Sequence, residues 1–288
     1  MKHRPICAIG VMAKAPRPGF SKTRLCPPLD HVQAATLSAA FLRDITENIA
    51  LAASEASIAC YIAYAPAGQE ALFDGHLAPG TGLLLADGTP SMPQAVQGFG
   101  RCLLHAIQSI LALGHTSAVV VNSDSPTLPN ALLVQTAAAL AAEGDRIVLG
   151  PADDGGYYLL GMKAAHAHLF ADIAWSTDTV AETTRLRARQ LGLEVIELPI
   201  WYDVDDKASL NRLLRETAAP PMPPTSSPPS PKSSPRTSWP GLSRPPTTSL
   251  DPASQKPVAP PTPYPAPFTA RVLTRMGLRE PNQILAAE

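Results

Sequence analysis

The 288-residue chain lacks the patterns that mark several common chemistries. Its four cysteines, Cys7, Cys26, Cys60 and Cys102, form no C-x-x-C pair and no zinc spacing. Cys7 and Cys60 fall in apolar, strand-like runs and read as small core residues, which fits reduced thiols and a cytoplasmic setting. No Gly-x-Ser-x-Gly elbow or reactive Cys–His pattern appears, and His105, His115, His166 and His168 show no metal spacing with carboxylates. The formal net charge is only −1, which excludes a broad basic face for nucleic acid. No apolar run reaches the length of a membrane span. Lys2, His3 and Arg4 precede an apolar stretch, and Ala13-Lys14-Ala15 loosely mimics a leader cleavage site. That stretch is only about eight residues long and runs straight into a basic loop, so a strand is the better reading.

Proline is not scarce, but it is unevenly placed. Eighteen of the 32 prolines lie between Pro220 and Pro267, among Ser, Thr and Ala. Such a tract has few apolar groups to offset ordering entropy, and its prolines remove backbone donors. The expectation is a disordered linker over residues 217–268 with polyproline II character. A short segment follows at 269–288, helical around Val272, Leu273, Met276 and Leu278, with docking left open. Truncation after Glu216 is therefore expected to leave activity and melting temperature nearly unchanged.

The first 216 residues alternate strand-like and helix-like segments. Strands are expected at Ile6–Met12, Ser57–Ala65, Gly82–Ala86, Ser117–Val121, Arg146–Gly150, Tyr157–Met162 and Glu194–Leu198. Between them, helices are expected at Asp30–Ala53, Phe99–Leu113, Pro129–Ala142, Thr177–Leu191 and Asp206–Arg215. This alternation argues for a mainly parallel sheet with helices on both faces.

Four chemical motifs sit between these elements, and the first three each follow a strand-like run. The loop Lys14-Ala-Pro-Arg17-Pro-Gly19-Phe-Ser-Lys22-Thr-Arg24 follows the first strand. Its two lysines and two arginines can hold di- or triphosphate oxygens, and Gly19 permits a turn other residues resist. It is neither a P-loop nor a dinucleotide fingerprint; read alone, it is equally a solvated basic loop. Asn122-Ser123-Asp124-Ser125-Pro126 follows the most strand-like run of the chain. Asp124 there can ligate Mg²⁺ or Mn²⁺, and Ser123 and Ser125 can bond a sugar or phosphate. The bland alternative is an Asx turn. Asp153-Asp154-Gly155-Gly156-Tyr157 joins two strands. A hairpin turn explains Asp154-Gly155 but not the additional acid and glycine. Asp153 and Asp154 are the first candidates for a general base or for contact with donor sugar or acceptor. In Trp201-Tyr202-Asp203-Val204-Asp205-Asp206, Asp206 reads as a helix cap and Asp205 as a second metal ligand. Trp175 reads as a substrate wall before a cap at Thr177.

Taken in order, these blocks resemble one family. The residues that carry the likeness are Lys14-x-Pro16-x-Pro18-Gly19-x-x-Lys22-Thr23-Arg24-Leu25, Ser123-Asp124-Ser125-Pro126-x-Leu128, Asp153-x-Gly155-Gly156-Tyr157-Tyr158-Leu159-x-Gly161, Trp175-Ser176-Thr177 and Asp203-Val204-Asp205. Over about the first 215 residues the chain is similar to bacterial glycosyltransferase-like proteins labelled radical-SAM/selenodomain- or arsenosugar-associated transferases. These are GT-A-type members of the nucleotide-diphospho-sugar transferase superfamily. Two departures stand out: Asp206-Lys-Ala-Ser209 replaces a Thr-Pro-Glu-Asp-like helix start, and Gly98-Phe-Gly100-Arg101 replaces Leu-Gly-x-Arg.

The resemblance implies a three-layer α/β/α Rossmann-like GT-A fold and a divalent metal, Mg²⁺ or Mn²⁺, on Asp124 and Asp205. It places nucleotide phosphates on Lys14, Arg17, Gly19, Lys22 and Arg24. Substrate contacts are expected from Ser123, Ser125, Gly155, Gly156, Tyr157 and Trp175. The expected activity is transfer of a sugar from a nucleotide-diphospho-sugar to a small-molecule acceptor. The alternatives are nucleotidyl transfer from an NTP with release of pyrophosphate, and non-catalytic nucleotide binding with a tail that recruits a partner.

Overall fold

The computed structural model describes residues 7–218 and 260–278. Seven strands form one sheet: β1 (Cys7–Ala13), β2 (Ile58–Tyr64), β3 (Gly82–Leu85), β4 (Ser117–Asn122), β5 (Arg146–Pro151), β6 (Tyr157–Met162) and β7 (Glu194–Glu197). Their order is β3-β2-β1-β4-β6-β5-β7. β6 runs antiparallel to both neighbours, β4 and β5, and the other pairings are parallel. The expected three-layer, mainly parallel fold is thus present. β1, β4, β5 and β6 are buried almost throughout, and the apolar runs of β1 and β4 have the pattern that a sheet covered on both faces requires.

Six helices are present among the described residues: α1 (His31–Ala52), α2 (Phe99–Ala112), α3 (Asn130–Ala141), α4 (Val180–Gln190), α5 (Lys207–Ala218) and α6 (Pro267–Arg275). α1 starts on a capping box, with Asp30 accepting from the Gln33 N–H and the Gln33 side chain accepting from the Asp30 N–H. Alternation along β1 divides the core. Cys7, Ile9, Val11 and Ala13 join side chains of α1, α3, α5 and α6 in one cluster, and Ala8 joins residues of α2 and α4 in the other. Gly10 lets α2 approach closely, since a Cβ there would lie 3.0 Å from Ile110 Cδ1.

Two expectations need correction. α4 begins at Val180 rather than Thr177, because residues 176–179 form a turn in which the Thr177 hydroxyl donates to the Ala174 carbonyl. The larger correction concerns the end of the chain. Residues 217 and 218 complete α5, and residues 260–268 pack on the domain instead of forming part of a linker, carrying with them the C-terminal segment, whose docking the sequence left open, through residue 278. The Tyr264 N–H donates to the Thr127 carbonyl at 3.0 Å. α6 has no side-chain cap of its own; the carboxylate of Asp44, on α1, accepts from the N–H groups of Phe268 (3.0 Å) and Thr269 (2.6 Å). Leu273 is buried, and Val272, Met276 and Leu278 pack against the same cluster. The rest of the expected linker, 219–259, and residues 279–288 lie outside the described residues. No helix among the described residues is long and apolar enough to cross a membrane.

Candidate active site

The sheet's connectivity reverses at β1: the chain goes next to β2 on one side, while β4 lies on the other. In open α/β sheets the crevice at the strands' carboxyl ends beside such a reversal is where ligands bind. A cleft of about 360 Å³ opens there. Lys14, Lys22, Arg24, Ser123, Asp124 and Asp205 line one part of it, and Ala63, Ala86, Phe99 and Cys102 line another.

Lys22 is the centre of this site. Its ammonium lies 2.8 Å from Asp124 Oδ2 and 2.6 Å from Asp205 Oδ1, and it donates to the Val204 carbonyl at 2.8 Å. Its side chain is 6% exposed, whereas that of Arg24, 3.9 Å from Asp205, is 79% exposed. Burial opposes the Lys22 charge, but the two carboxylates outweigh it and the pKa is raised. The loop from β4 is tied to the segment after β7: the Val204 N–H donates to the Asp124 carbonyl, and Ser125 Oγ donates to the Tyr202 carbonyl at 2.7 Å. Ser123 Oγ donates to Asp124 Oδ1 at 2.9 Å and orients that carboxylate.

Asp203 is the residue that sequence reasoning passed over. Burial, together with the charges of Asp205, Asp154 and Asp124, pushes its carboxyl up to about 7. The spacing Asp203-x-Asp205, in the irregular segment between β7 and α5, was the available signal. Among the described residues no three His, Cys, Asp or Glu side chains converge as a metal site. The Lys22 ammonium stands between the two carboxylates, in the position of a cation. The donor set nonetheless fits one: two carboxylates aim at a single point within hydrogen-bond range, and hard oxygen donors suit Mg²⁺ or Mn²⁺.

Other expected residues lie elsewhere. Arg17 sits over the Phe20 ring at 4.4 Å, and Gly19, at φ 77°, makes the turn between them. Ser125 is buried in its bond to Tyr202, so it is a structural tie rather than a substrate contact. The hydroxyl of Tyr157 is buried in the second core cluster and does not face a ligand. Trp175 does not line the cleft. It stacks edge-on against Phe99 at 5.7 Å, donates to the Gln97 carbonyl, and fills the space a side chain at Gly100 would need. Asp153 is 3.5 Å from Arg212 and raised by burial, whereas Asp154 accepts from the Gly156 N–H. Gly155, at φ 88°, lies where a Cβ would meet the Asp178 carbonyl oxygen at 2.1 Å. Gly155 thus serves the packing of this turn against the segment leading into α4, while a Cβ at Gly156 would lie 3.0 Å from Asp154 Oδ1.

Residues 48–177 match the family described as an uncharacterized protein conserved in bacteria, DUF2064. A solved structure from Desulfovibrio desulfuricans G20, assigned provisionally as a nucleotide-diphospho-sugar transferase, is 28% identical. The match covers 78% of this chain and 90% of that one, with a TM-score of 0.62. Two more distant structures are CMP:2-keto-3-deoxy-manno-octonic acid synthetase complexed with CTP (13% identity, 72% and 96% covered, TM-score 0.45) and a manganese complex of Rv0371c from Mycobacterium tuberculosis H37Rv (17%, 74% and 99%, 0.37). No curated protein matches the chain significantly. The chain is thus similar to this bacterial family over residues 48–177, and it shares its α/β fold with the Desulfovibrio structure.

Proposed function

We propose that the chain is a metal-dependent glycosyltransferase that takes a sugar from a nucleotide-diphospho-sugar and passes it to a small-molecule acceptor. The observation that carries this reading is the meeting of Asp124, Asp205 and Lys22 in the wall of a cleft that Lys14 and Arg24 also line. Lys14 and Arg24 are exposed and hold the diphosphate by charge-assisted bonds, with Arg17 further out on the same loop. Ser123 keeps the Asp124 carboxylate turned toward the cation position. A bound Mg²⁺ or Mn²⁺ would neutralise the charge that builds on the departing diphosphate. Of the two acids after β5, Asp154 is the better candidate for general base, since Asp153 is engaged by Arg212 and Asp154 contributes to the field at Asp203.

One observation favours nucleotidyl transfer as a second reading: Lys14 and Arg24 line the cleft as exposed cations beside the Lys22 cluster, and a triphosphate offers them more charge than a diphosphate does. Thermal shifts with NDP-sugars, NDPs and NTPs, with and without Mn²⁺, separate the two. Mn²⁺-dependent stabilisation by an NDP-sugar, lost in Asp124→Ala, supports sugar transfer. Stabilisation by an NTP alone moves the assignment to nucleotidyl transfer. Binding of either without metal-dependent turnover favours a binding protein, and turnover unchanged in Asp124→Ala removes Asp124 from the metal site.

A further inference from the structure

Lys22 is turned inward, away from the open part of the cleft where a phosphate-binding lysine would be expected. Its backbone is left-handed, at φ 52° and ψ 36°, a region non-glycine residues seldom occupy. The flanking side chains hold the loop in that path. Ser21 is buried and bonded to the Arg17 N–H and the Ala15 carbonyl, and Leu25 is buried in the core. The stem passes beneath the rim, and the three donors of the ammonium meet three oxygens, on Asp124, Asp205 and Val204. In this arrangement Lys22 has no donor left for a phosphate.

The same two carboxylates are the ones assigned to the metal, so ammonium and divalent ion compete for one place. We propose that Lys22 is a placeholder cation: it holds Asp124 and Asp205 together until a divalent ion arrives with a nucleotide phosphate, and it then turns to that phosphate. The inference rests on the metal–nucleotide reading of the site. Its logic is one of charge. Asp124 and Asp205 converge on one point, so together they need a counter-charge there. An ion arriving alone must displace a buried ammonium and leave it without a partner, whereas an ion arriving with phosphate offers the ammonium a new anion. Ion and nucleotide therefore bind cooperatively, and the ion binds weakly by itself.

The test is Mn²⁺ affinity, measured by EPR or calorimetry on the full chain, alone and with CDP, GDP or UDP in turn. Lys22→Met keeps most of the apolar stem and removes the competing charge. It is expected to bind Mn²⁺ alone about ten-fold or more tighter than wild type, the size of a typical coupling. Lys22→Arg, which keeps the charge, is expected to stay near wild type. In wild type a nucleoside diphosphate is expected to tighten Mn²⁺ binding, and in Lys22→Met that gain shrinks. Adding Asp124→Asn to Lys22→Met is expected to abolish the tighter binding. A folded Lys22→Met that binds Mn²⁺ no better than wild type overturns the placeholder, as does tight binding that survives Asp124→Asn. Should Lys22→Met not fold, wild type still decides, because Mn²⁺ and nucleotide binding independently of one another overturns the proposal. Absence of any Mn²⁺ binding, with or without nucleotide, sinks the metal reading itself. Metal-dependent nucleotide binding with no gain in Lys22→Met sinks only the placeholder.

Discussion

Leu273 anchors the docking of α6, so cutting it to alanine tests whether the C-terminal helix belongs to the fold. The side chain is 1% exposed and belongs to the main core cluster with residues of α1 and α5. Large-to-small changes at such sites cost about 2–5 kcal/mol, less where the surroundings can relax. Here a groove of about 370 Å³, lined by Leu214, Thr217 and Ala270, lies beside it. That places the expected cost near the lower end, about 2–3 kcal/mol. With a urea slope of about 3 kcal/mol per molar, the unfolding midpoint should fall by roughly 1 M. If α6 undocks before the rest unfolds, the midpoint falls less, but amide exchange protection over residues 267–275 collapses selectively. Far-UV circular dichroism and hydrogen exchange read the two cases. A midpoint within about 0.2 M of wild type, with protection over α6 unchanged, would refute the docking. Truncation after Ala218 should likewise lower the melting temperature, the reverse of what the composition of the tail leads one to expect.

Two further outcomes follow from buried groups. Burial pushes the Asp44 carboxyl up to about 6, although the Phe268 and Thr269 bonds partly offset this. The folded state therefore binds this proton more tightly than the unfolded chain does. Stability from this group is full below pH about 4 and declines as pH rises through about 6, by a total of about 3 kcal/mol. Asp44→Asn should remove that slope; a wild-type-minus-variant difference that is flat from pH 4.5 to 7 in urea unfolding would rule out the assignment. Gly155→Ala forces a Cβ onto the Asp178 carbonyl at a positive φ and should cost more than about 2 kcal/mol. A melting temperature unchanged in that variant would mean the turn is not packed against α4 as described.

Strand and helix positions were legible because burial imposes a period on the sequence. β1 and β4 are continuous apolar runs, and α1 repeats Leu37, Phe41, Ile45 and Ile49 on one buried face. The carboxyl-edge placement of Asp124 and of the basic loop followed from the same runs. What could not be read is pairing across long separations. Lys22 and Asp205 are 183 residues apart, and nothing local distinguishes a lysine that seeks phosphate from one that sits between carboxylates. Trp175 and Tyr157, expected as substrate contacts, illustrate a related limit: an aromatic residue near a motif is as useful to packing as to binding, and both make packing contacts outside the cleft lining.

The end of the chain shows how a composition argument can hold on average and fail locally. Residues 260–265 read Pro-Pro-Thr-Pro-Tyr-Pro, so only Thr262 and Tyr264 carry a backbone N–H. The Tyr264 N–H is the one that meets the carbonyl of Thr127, a buried residue three positions beyond Asp124. Proline stiffness lowers the entropy lost when such a segment is fixed, so a single well-placed donor can help hold a strap that composition alone would leave free. The strap thus bears on the loop that carries Asp124. Tyr264→Pro removes that donor and should cost about 1–2 kcal/mol, because a buried carbonyl loses its partner. Tyr264→Phe keeps the donor and should cost little, since the phenol hydroxyl takes no part in this bond. Melting temperatures of the two variants decide the point. Equal losses would assign the effect to the phenol hydroxyl instead of the N–H, and no loss in Tyr264→Pro would mean that the strap does not brace the Asp124 loop.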